Sequence, residues 1–176
     1  MQTDSAVTRE DVVAALGRER PLTEGSAPWT LRFIDLADRQ FGGRWQRVTI
    51  SGLDALAIVL PPHAGEPCRG DRLSLVEPGG ATVRDAARRL ARIRGDYESA
   101  NASCWSRIAQ AAVAPFSTLV LTTSPLAADD YASVMPAPGQ FFHLDGFHRL
   151  VGWAWAGRLT PGVTLAALVA GERVRL

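Results

Sequence analysis

Four stretches of the chain have apolar residues at the three- and four-residue spacing of an amphipathic helix. Thr8 and Asp11 approximate a capping box at the start of the first stretch, and Thr82 is the predicted N-cap of the third. Gly42-Gly43 would end the second stretch, and Gly95-Asp96 would end the third. The predicted helices therefore cover residues 8–17, 29–41, 82–94 and 99–112.

Strand-like patterns lie between and after these helices. Residues 116–122 (FSTLVLT) form a continuous apolar run rich in β-branched residues, which is typical of a buried strand. Residues 45–50 and 55–60 are also predicted strands, separated by a turn at Ser51-Gly52. Further along, we predict a loop over 123–139 with a helical turn near 129–134, and a final strand near 163–169.

This mixture of helices and short strands predicts an α+β fold (α/β mixed), with a small mixed sheet flanked by helices. The length of 176 residues suits a single domain, in which residues 1–115 supply N-terminal helices and strands and residues 116–176 a C-terminal core. The net charge of +1 gives no indication of nucleic acid as a partner. We expect a cytoplasmic protein, since neither a signal peptide nor an apolar run of about 20 residues is present.

The basic residues are unusual, because all 19 are arginine and the sequence has no lysine. Schiff-base chemistry and the lysine of a Walker A loop are therefore excluded, and any anion must be held by arginine, histidine or backbone amides. The arginines between Arg84 and Arg94 are predicted to form a solvated helix face; the alternative is an anion- or RNA-binding stripe, for which the interleaved aromatic residues are absent. Cys68 and Cys104 are far apart in the sequence, which predicts free thiols rather than a zinc site.

The segment 140–159 (QFFHLDGFHRLVGWAWAGRL) carries the clearest candidate chemistry. A strand-like run reaches Asp145-Gly146, and a helical pattern begins at once and continues to Gly157. Such a turn presents backbone N–H groups at a helix N-terminus, where an anion such as phosphate is well held. Arg149 and His148 lie at the same place, so we expect any active site to be centred there.

The motif Asp145-Gly146-Phe147-His148-Arg149, entering a helix that ends at Ala156-Gly157, resembles the phosphate-binding box of the ParB/sulfiredoxin superfamily. That superfamily includes CTP-binding DNA-segregation proteins, ATP-using sulfinic acid reductases and a free-serine kinase. The resemblance covers residues 116–176 and implies that Gly146 allows close backbone approach while Arg149 grips a phosphate. It also places Phe147 and His148 in the nucleotide-binding box.

The same resemblance excludes two of the superfamily's activities. Phe147 stands where sulfiredoxins carry their reactive cysteine, so sulfinic acid reduction is not expected. The Glu-Arg pair of the segregation proteins is absent, and only 27 residues follow Arg149, so DNA segregation is not expected either.

Each candidate residue has a structural alternative. Asp145 is predicted to be the N-cap of the helix, or otherwise a Mg²⁺ ligand or base. Arg149 is predicted either to bind an anion or to pair with a carboxylate in a purely structural turn. His148 is an acid–base candidate because histidine titrates near neutrality. Of Trp153 and Trp155, which cannot share one helix face, one is expected in the core and the other at a pocket or interface.

The favoured hypothesis is a small enzyme that binds a nucleotide or phosphorylated metabolite at the Asp145–Arg149 turn. Its most concrete form is an ATP-dependent phosphotransferase acting on an amino acid-like small molecule with Mg²⁺, in which His148, Asp145 and Arg149 are the catalytic residues. A non-catalytic nucleotide-sensing or protein-interaction module is one alternative. A metalloenzyme using His143, Asp145 and His148 is another. A small-molecule substrate is expected without membrane or nucleic acid, and a homodimer is left open.

Overall fold

Six α-helices, one 3-10 helix (Asp129–Tyr131) and seven strands make up the regular structure of the described residues. The 3-10 helix lies within the helical turn predicted near 129–134. The computed structural model describes residues 5–22, 27–62, 73–136 and 139–172. The helices are α1 (Arg9–Glu19), α2 (Ala27–Gln40), α3 (Gly52–Ala57), α4 (Val83–Ala100), α5 (Ala102–Val113) and α6 (Phe147–Trp155). The strands are β1 (Ser5–Val7), β2 (Trp45–Ser51), β3 (Val59–Leu60), β4 (Ala81–Thr82), β5 (Leu119–Thr122), β6 (Phe142–Asp145) and β7 (Thr164–Ala170). The predicted α+β class is confirmed.

All seven strands belong to one mixed sheet in the order β1-β2-β7-β5-β6-β3-β4. The central strand β5 is parallel to β7 and antiparallel to β6. Strands from the first 115 residues lie at both edges of the sheet, and strands from the remainder lie between them. The two parts of the chain therefore form a single domain.

Helices cover both faces of the sheet, because strand residues alternate between two apolar clusters. On β7, Leu165, Ala167 and Val169 face a cluster that includes residues of α3, α4, α5 and α6. Leu168 and Ala170 face the other cluster, which includes residues of α1 and α2. The result is a three-layer arrangement in which α6 and α2 approach the same end of β6 from opposite faces.

The predicted strand over 55–60 is wrong for most of its length. Residues 52–57 form α3, and only Val59–Leu60 pair in the sheet. Ser51 and Asp54 form a capping box, in which the Asp54 amide donates to the Ser51 hydroxyl at 3.1 Å and the Ser51 amide donates to the Asp54 carboxylate at 2.9 Å. A six-residue helix is too short to show helical periodicity, so only this cap could have revealed it.

The other differences are smaller. α4 runs on to Ala100, past the predicted break at Gly95-Asp96, and its non-helical residue is Ile93. The short edge strands β1 and β4 were not predicted. Trp153 is fully buried and Trp155 is half-buried, as the helical spacing predicted. None of the described helices combines the length and apolarity that crossing a membrane requires.

Cys104 corrects the expectation of free thiols. It is buried on α5 and disulfide-bonded, and the described residues include no free cysteine. Cys68 lies outside the described residues.

Candidate active site

The predicted strand–turn–helix is present, with Gly146 as the residue that turns the chain. β6 ends at Asp145, Gly146 has φ of 106°, and α6 begins at Phe147. This left-handed conformation favours glycine, and a Cβ at Gly146 would lie 3.1 Å from the Arg149 Nη2 atom. The predicted N-cap role of Asp145 is wrong, because Gly146, which has no side chain, occupies the N-cap position.

Asp145 is instead the anion of a buried ion-pair cluster. Its Oδ1 accepts from Arg20 Nη2 at 2.6 Å and from the Thr30 hydroxyl at 3.0 Å. Its Oδ2 accepts from Arg149 Nη2 at 2.8 Å. The Asp145 side chain is 7% exposed. One carboxylate thus joins the segment after α1, the N-terminal part of α2 and the first turn of α6.

The charges around Asp145 keep it ionised despite its burial. Burial alone would raise the pKa of this carboxyl, but Arg149, Arg20 and His143 outweigh that effect and leave the pKa below its ordinary value. A carboxylate with a lowered pKa is a weak base, and both of its oxygens already accept hydrogen bonds. The geometry therefore favours a role for Asp145 in fixing the two arginines.

Arg149 has further partners on its other side. Its Nη1 atom donates to the Ser117 hydroxyl, to the Thr118 carbonyl at 3.2 Å and to the Glu19 carboxylate at 3.4 Å. Glu19 also accepts from the Thr118 amide at 2.8 Å. Arg149 thus ties α6 to the end of α1 and to the residues before β5, which corresponds to the structural alternative expected for it.

A cavity of about 410 Å³ opens in front of Gly146. This volume lies within the usual range for small-molecule sites. Elements distant in sequence complete its wall, including the N-terminal part of α2 and the C-terminal half of α5. All the predicted site residues line it, namely His143, Asp145, Gly146, Phe147, His148 and Arg149.

Arg107 differs from the other two arginines of the cavity. It lies on α5, is half-buried and lines the cavity wall. Within the part of the chain that the structure describes, Arg107 has no carboxylate or hydrogen-bond partner, whereas Arg20 and Arg149 both pair with Asp145. A half-buried guanidinium without a counterion makes this wall attractive to an anion.

Two histidine rings pack against Phe147 in the cavity wall. The His148 ring packs edge-to-face on Phe147 with centroids 5.5 Å apart, and the His143 ring does so at 6.2 Å. His143 is buried, and its carbonyl accepts from the buried Tyr131 hydroxyl. Both imidazoles therefore contact the same phenyl ring.

The described residues contain no group of three His, Cys, Asp or Glu side chains placed to hold a metal ion. His143, Asp145 and His148 do not form such a group, and the Asp145 oxygens are both taken by arginine. The metal-centre hypothesis therefore has no support in the geometry, and Asp145 does not fit the role of a Mg²⁺ ligand.

Several residues of the site were not predicted from the sequence. Arg20, Thr30 and Glu19 lie between 115 and 130 positions from the residues of the turn that they contact, and no local motif marks them or Arg107. The sequence also has three acidic residues in the loop before α4, Glu66, Asp71 and Glu77, and the superfamily resemblance implies an acidic base without fixing which residue it is. Glu77 pairs with Arg89 at 2.7 Å and does not line the cavity. Glu66 and Asp71 lie outside the described residues.

Fold and site together define an α+β domain with an arginine-lined cavity at the turn from a sheet strand into a helix. The family model that matches the chain covers residues 1–175, and the chain belongs to that family, DUF6309, a family of unknown function. No curated protein and no solved structure shows significant similarity to the chain. The resemblance of the Gly146–Arg149 box to the ParB/sulfiredoxin superfamily stays a prediction.

Proposed function

We propose that the cavity at the Asp145–Arg149 turn binds a small anionic molecule, with a nucleotide or phosphorylated metabolite as the best fit. The observation that carries this proposal is the half-buried Arg107, which faces a cavity of about 410 Å³ without a counterion among the described residues. The N-terminus of α6 lies at the same cavity and supports it, because a helix N-terminus carries partial positive charge.

The three arginines have different roles in this proposal. Arg107 contacts the anionic group of the ligand directly. Arg149 and Arg20 are held by Asp145 and act as positioning residues that fix the turn and add positive charge to the wall. This division modifies the role that the sequence resemblance implies, in which Arg149 alone grips the phosphate.

His148 is the side chain best placed to assist a reaction. It occupies the second position of α6, lines the cavity and packs on Phe147. An imidazole at this point can donate a hydrogen bond to a phosphate oxygen or exchange a proton with a substrate hydroxyl. Phosphoryl transfer to an amino acid-like substrate is the catalytic form of the proposal, with ATP as donor.

A non-catalytic nucleotide-sensing or protein-interaction module is the second candidate. The pairing of Asp145 with two arginines favours this form, since it removes the most obvious carboxylate base from the site. Glu19 is the other carboxylate at the cavity, and it accepts from Arg149 and Thr118.

A ligand panel followed by product analysis separates these candidates. Thermal unfolding is recorded with ATP, CTP, inorganic phosphate and glucose 6-phosphate, and a nucleotide is expected to raise the melting temperature. Incubation of the stabilising nucleotide with a mixture of free amino acids then shows whether a phosphorylated product forms. Stabilisation without product supports the sensing module, and absence of stabilisation by every anion would contradict the proposal.

A further inference from the structure

A second cavity, of about 380 Å³, lies at the opposite end of α6 and shares no lining residue with the first. One wall is the face of α4 that presents Arg84 and Arg88, and the other is the C-terminal end of α6 with Trp155. The two cavities are therefore separate sites, and a ligand of the second is independent of the proposed function of the first.

Small side chains create the space between these two walls. Ala87 and Ala91 lie on α4 at the spacing that places them beside the two arginines. Ala154 and Gly157 lie opposite, at the end of α6. The surface between the walls is therefore lined by small side chains, which leave room for a flat apolar group.

The arginines of α4 that line the cavity have fewer polar partners than Arg89, which does not line it. Arg89 pairs with Glu77 at 2.7 Å and donates to the Ser74 carbonyl at 2.8 Å. Arg84, which lines the cavity, has no ion pair or hydrogen bond among the residues described. Arg88 has one ionic partner within the described part of the chain, Asp85 at 4.0 Å, and both side chains are well exposed. The cavity thus has two cations at its edge, and no acidic side chain of the described residues lines it.

The tryptophan of the opposite wall is held in place by its neighbours. Trp155 packs edge-to-face on Trp105 with centroids 5.3 Å apart, and the Arg94 guanidinium lies 5.2 Å from the Trp105 ring and 5.7 Å from the Trp155 ring. Such cation–π contacts orient the indole before any ligand arrives. A preorganised aromatic wall lowers the ordering cost of binding.

We propose that this second cavity binds a small amphiphilic anion, with a flat apolar body against Trp155 and a carboxylate or phosphate group between Arg84 and Arg88. The fold brings Trp105 and Trp155 from α5 and α6 to the arginine face of α4. From the sequence, the arginine series was predicted to be a solvated face, with an anion- or RNA-binding stripe as the alternative, because interleaved aromatic residues are absent from it.

Calorimetric titration with naphthoate, compared with the uncharged naphthylmethanol, tests this assignment. The native protein is expected to bind naphthoate saturably and naphthylmethanol about tenfold more weakly. The double variant Arg84→Gln/Arg88→Gln is expected to weaken naphthoate binding about tenfold. Ala91→Phe, which fills the space and keeps both arginines, is expected to abolish it.

Two controls make the result specific. Arg92→Gln removes an exposed charge of α4 that does not line the second cavity. Arg107→Gln removes one arginine of the first cavity. Each variant is expected to change the naphthoate affinity less than about twofold. Absence of saturable binding to the native protein overturns the proposal. So does weakening by Arg107→Gln, or binding that survives Ala91→Phe, because the anion would then lie elsewhere.

Discussion

The substitution Asp145→Asn removes the carboxylate that pairs with both Arg20 and Arg149 while keeping the shape of the side chain. The two ion pairs measure 2.6 Å and 2.8 Å, and the carboxylate is almost fully buried. Removing one partner of a buried ion pair costs about 3–5 kcal/mol. The arginine side chains are 33% and 24% exposed, so water compensates part of the loss and we expect about 3 kcal/mol.

Urea unfolding at neutral pH measures this loss. With a typical urea dependence of about 2 kcal/mol per molar, the unfolding midpoint of Asp145→Asn should fall by about 1.5 M. Asp96→Asn is the matched control, since Asp96 is an exposed acid on α4 with no partner among the described residues; it should change stability by less than about 0.5 kcal/mol.

The pH dependence of the stability difference between the native protein and Asp145→Asn tests whether the Asp145 charge causes that difference. The pKa of Asp145 is lowered in the folded protein, so its contribution is fully present above the carboxyl pKa of the unfolded chain, about 4, and is lost as the pH falls through the folded pKa. The gap between native protein and variant should therefore stay constant from neutral pH down to about 5 and shrink below about 4. A loss under about 1 kcal/mol at neutral pH, or a gap that does not shrink in acid, would refute this reasoning.

Three other substitutions test the packing around the site. Gly146→Ala should cost about 2 kcal/mol in urea unfolding, because its φ of 106° strains any side chain. Gly152→Ala places a Cβ 2.6 Å from the Ile108 carbonyl oxygen and should lower the free energy of unfolding by about 1–3 kcal/mol. Gly162→Ala is the control, because a Cβ there meets open space. Equal stabilities of the two variants would contradict the close approach of α5 and α6. Tyr131→Phe should cost about 1–3 kcal/mol by leaving the buried His143 carbonyl without its donor. Burial raises the pKa of Tyr131 in the folded state, so the tyrosine of the unfolded chain ionises first as the pH rises. The stability difference between the native protein and Tyr131→Phe should therefore fall above about pH 10, and a difference that stays constant there would contradict this expectation.

Local signals in the sequence account for the elements that were predicted correctly. Thr8 with Asp11 and Thr82 mark the starts of α1 and α4, because a side-chain cap is an interaction between neighbours in sequence. The apolar run at 116–122 contains β5, since a central strand buried on both faces needs no polar residues. The turn at Gly146 was located correctly for the same kind of local reason.

The interactions that define the site could not be predicted in this way. Asp145 was expected to cap α6, yet its carboxylate bonds to Arg20 and Thr30, which lie 125 and 115 residues away in sequence. Arg107 appears in the sequence as one polar residue of an amphipathic helix. Its place in the cavity wall, with no carboxylate partner among the described residues, follows from the packing of α5 on α6.

The binding of a nucleotide to Arg107→Gln, compared with the native protein, tests the central claim most directly. Calorimetry should show a loss of affinity of about tenfold or more, because a charge-assisted hydrogen bond contributes about 1.5–3 kcal/mol. Arg39→Gln is the matched control, since Arg39 is an exposed arginine on α2 about 14 Å along the helix from Thr30 and should leave affinity unchanged. Equal affinities of the native protein and Arg107→Gln would contradict the assignment of this cavity as the anion site.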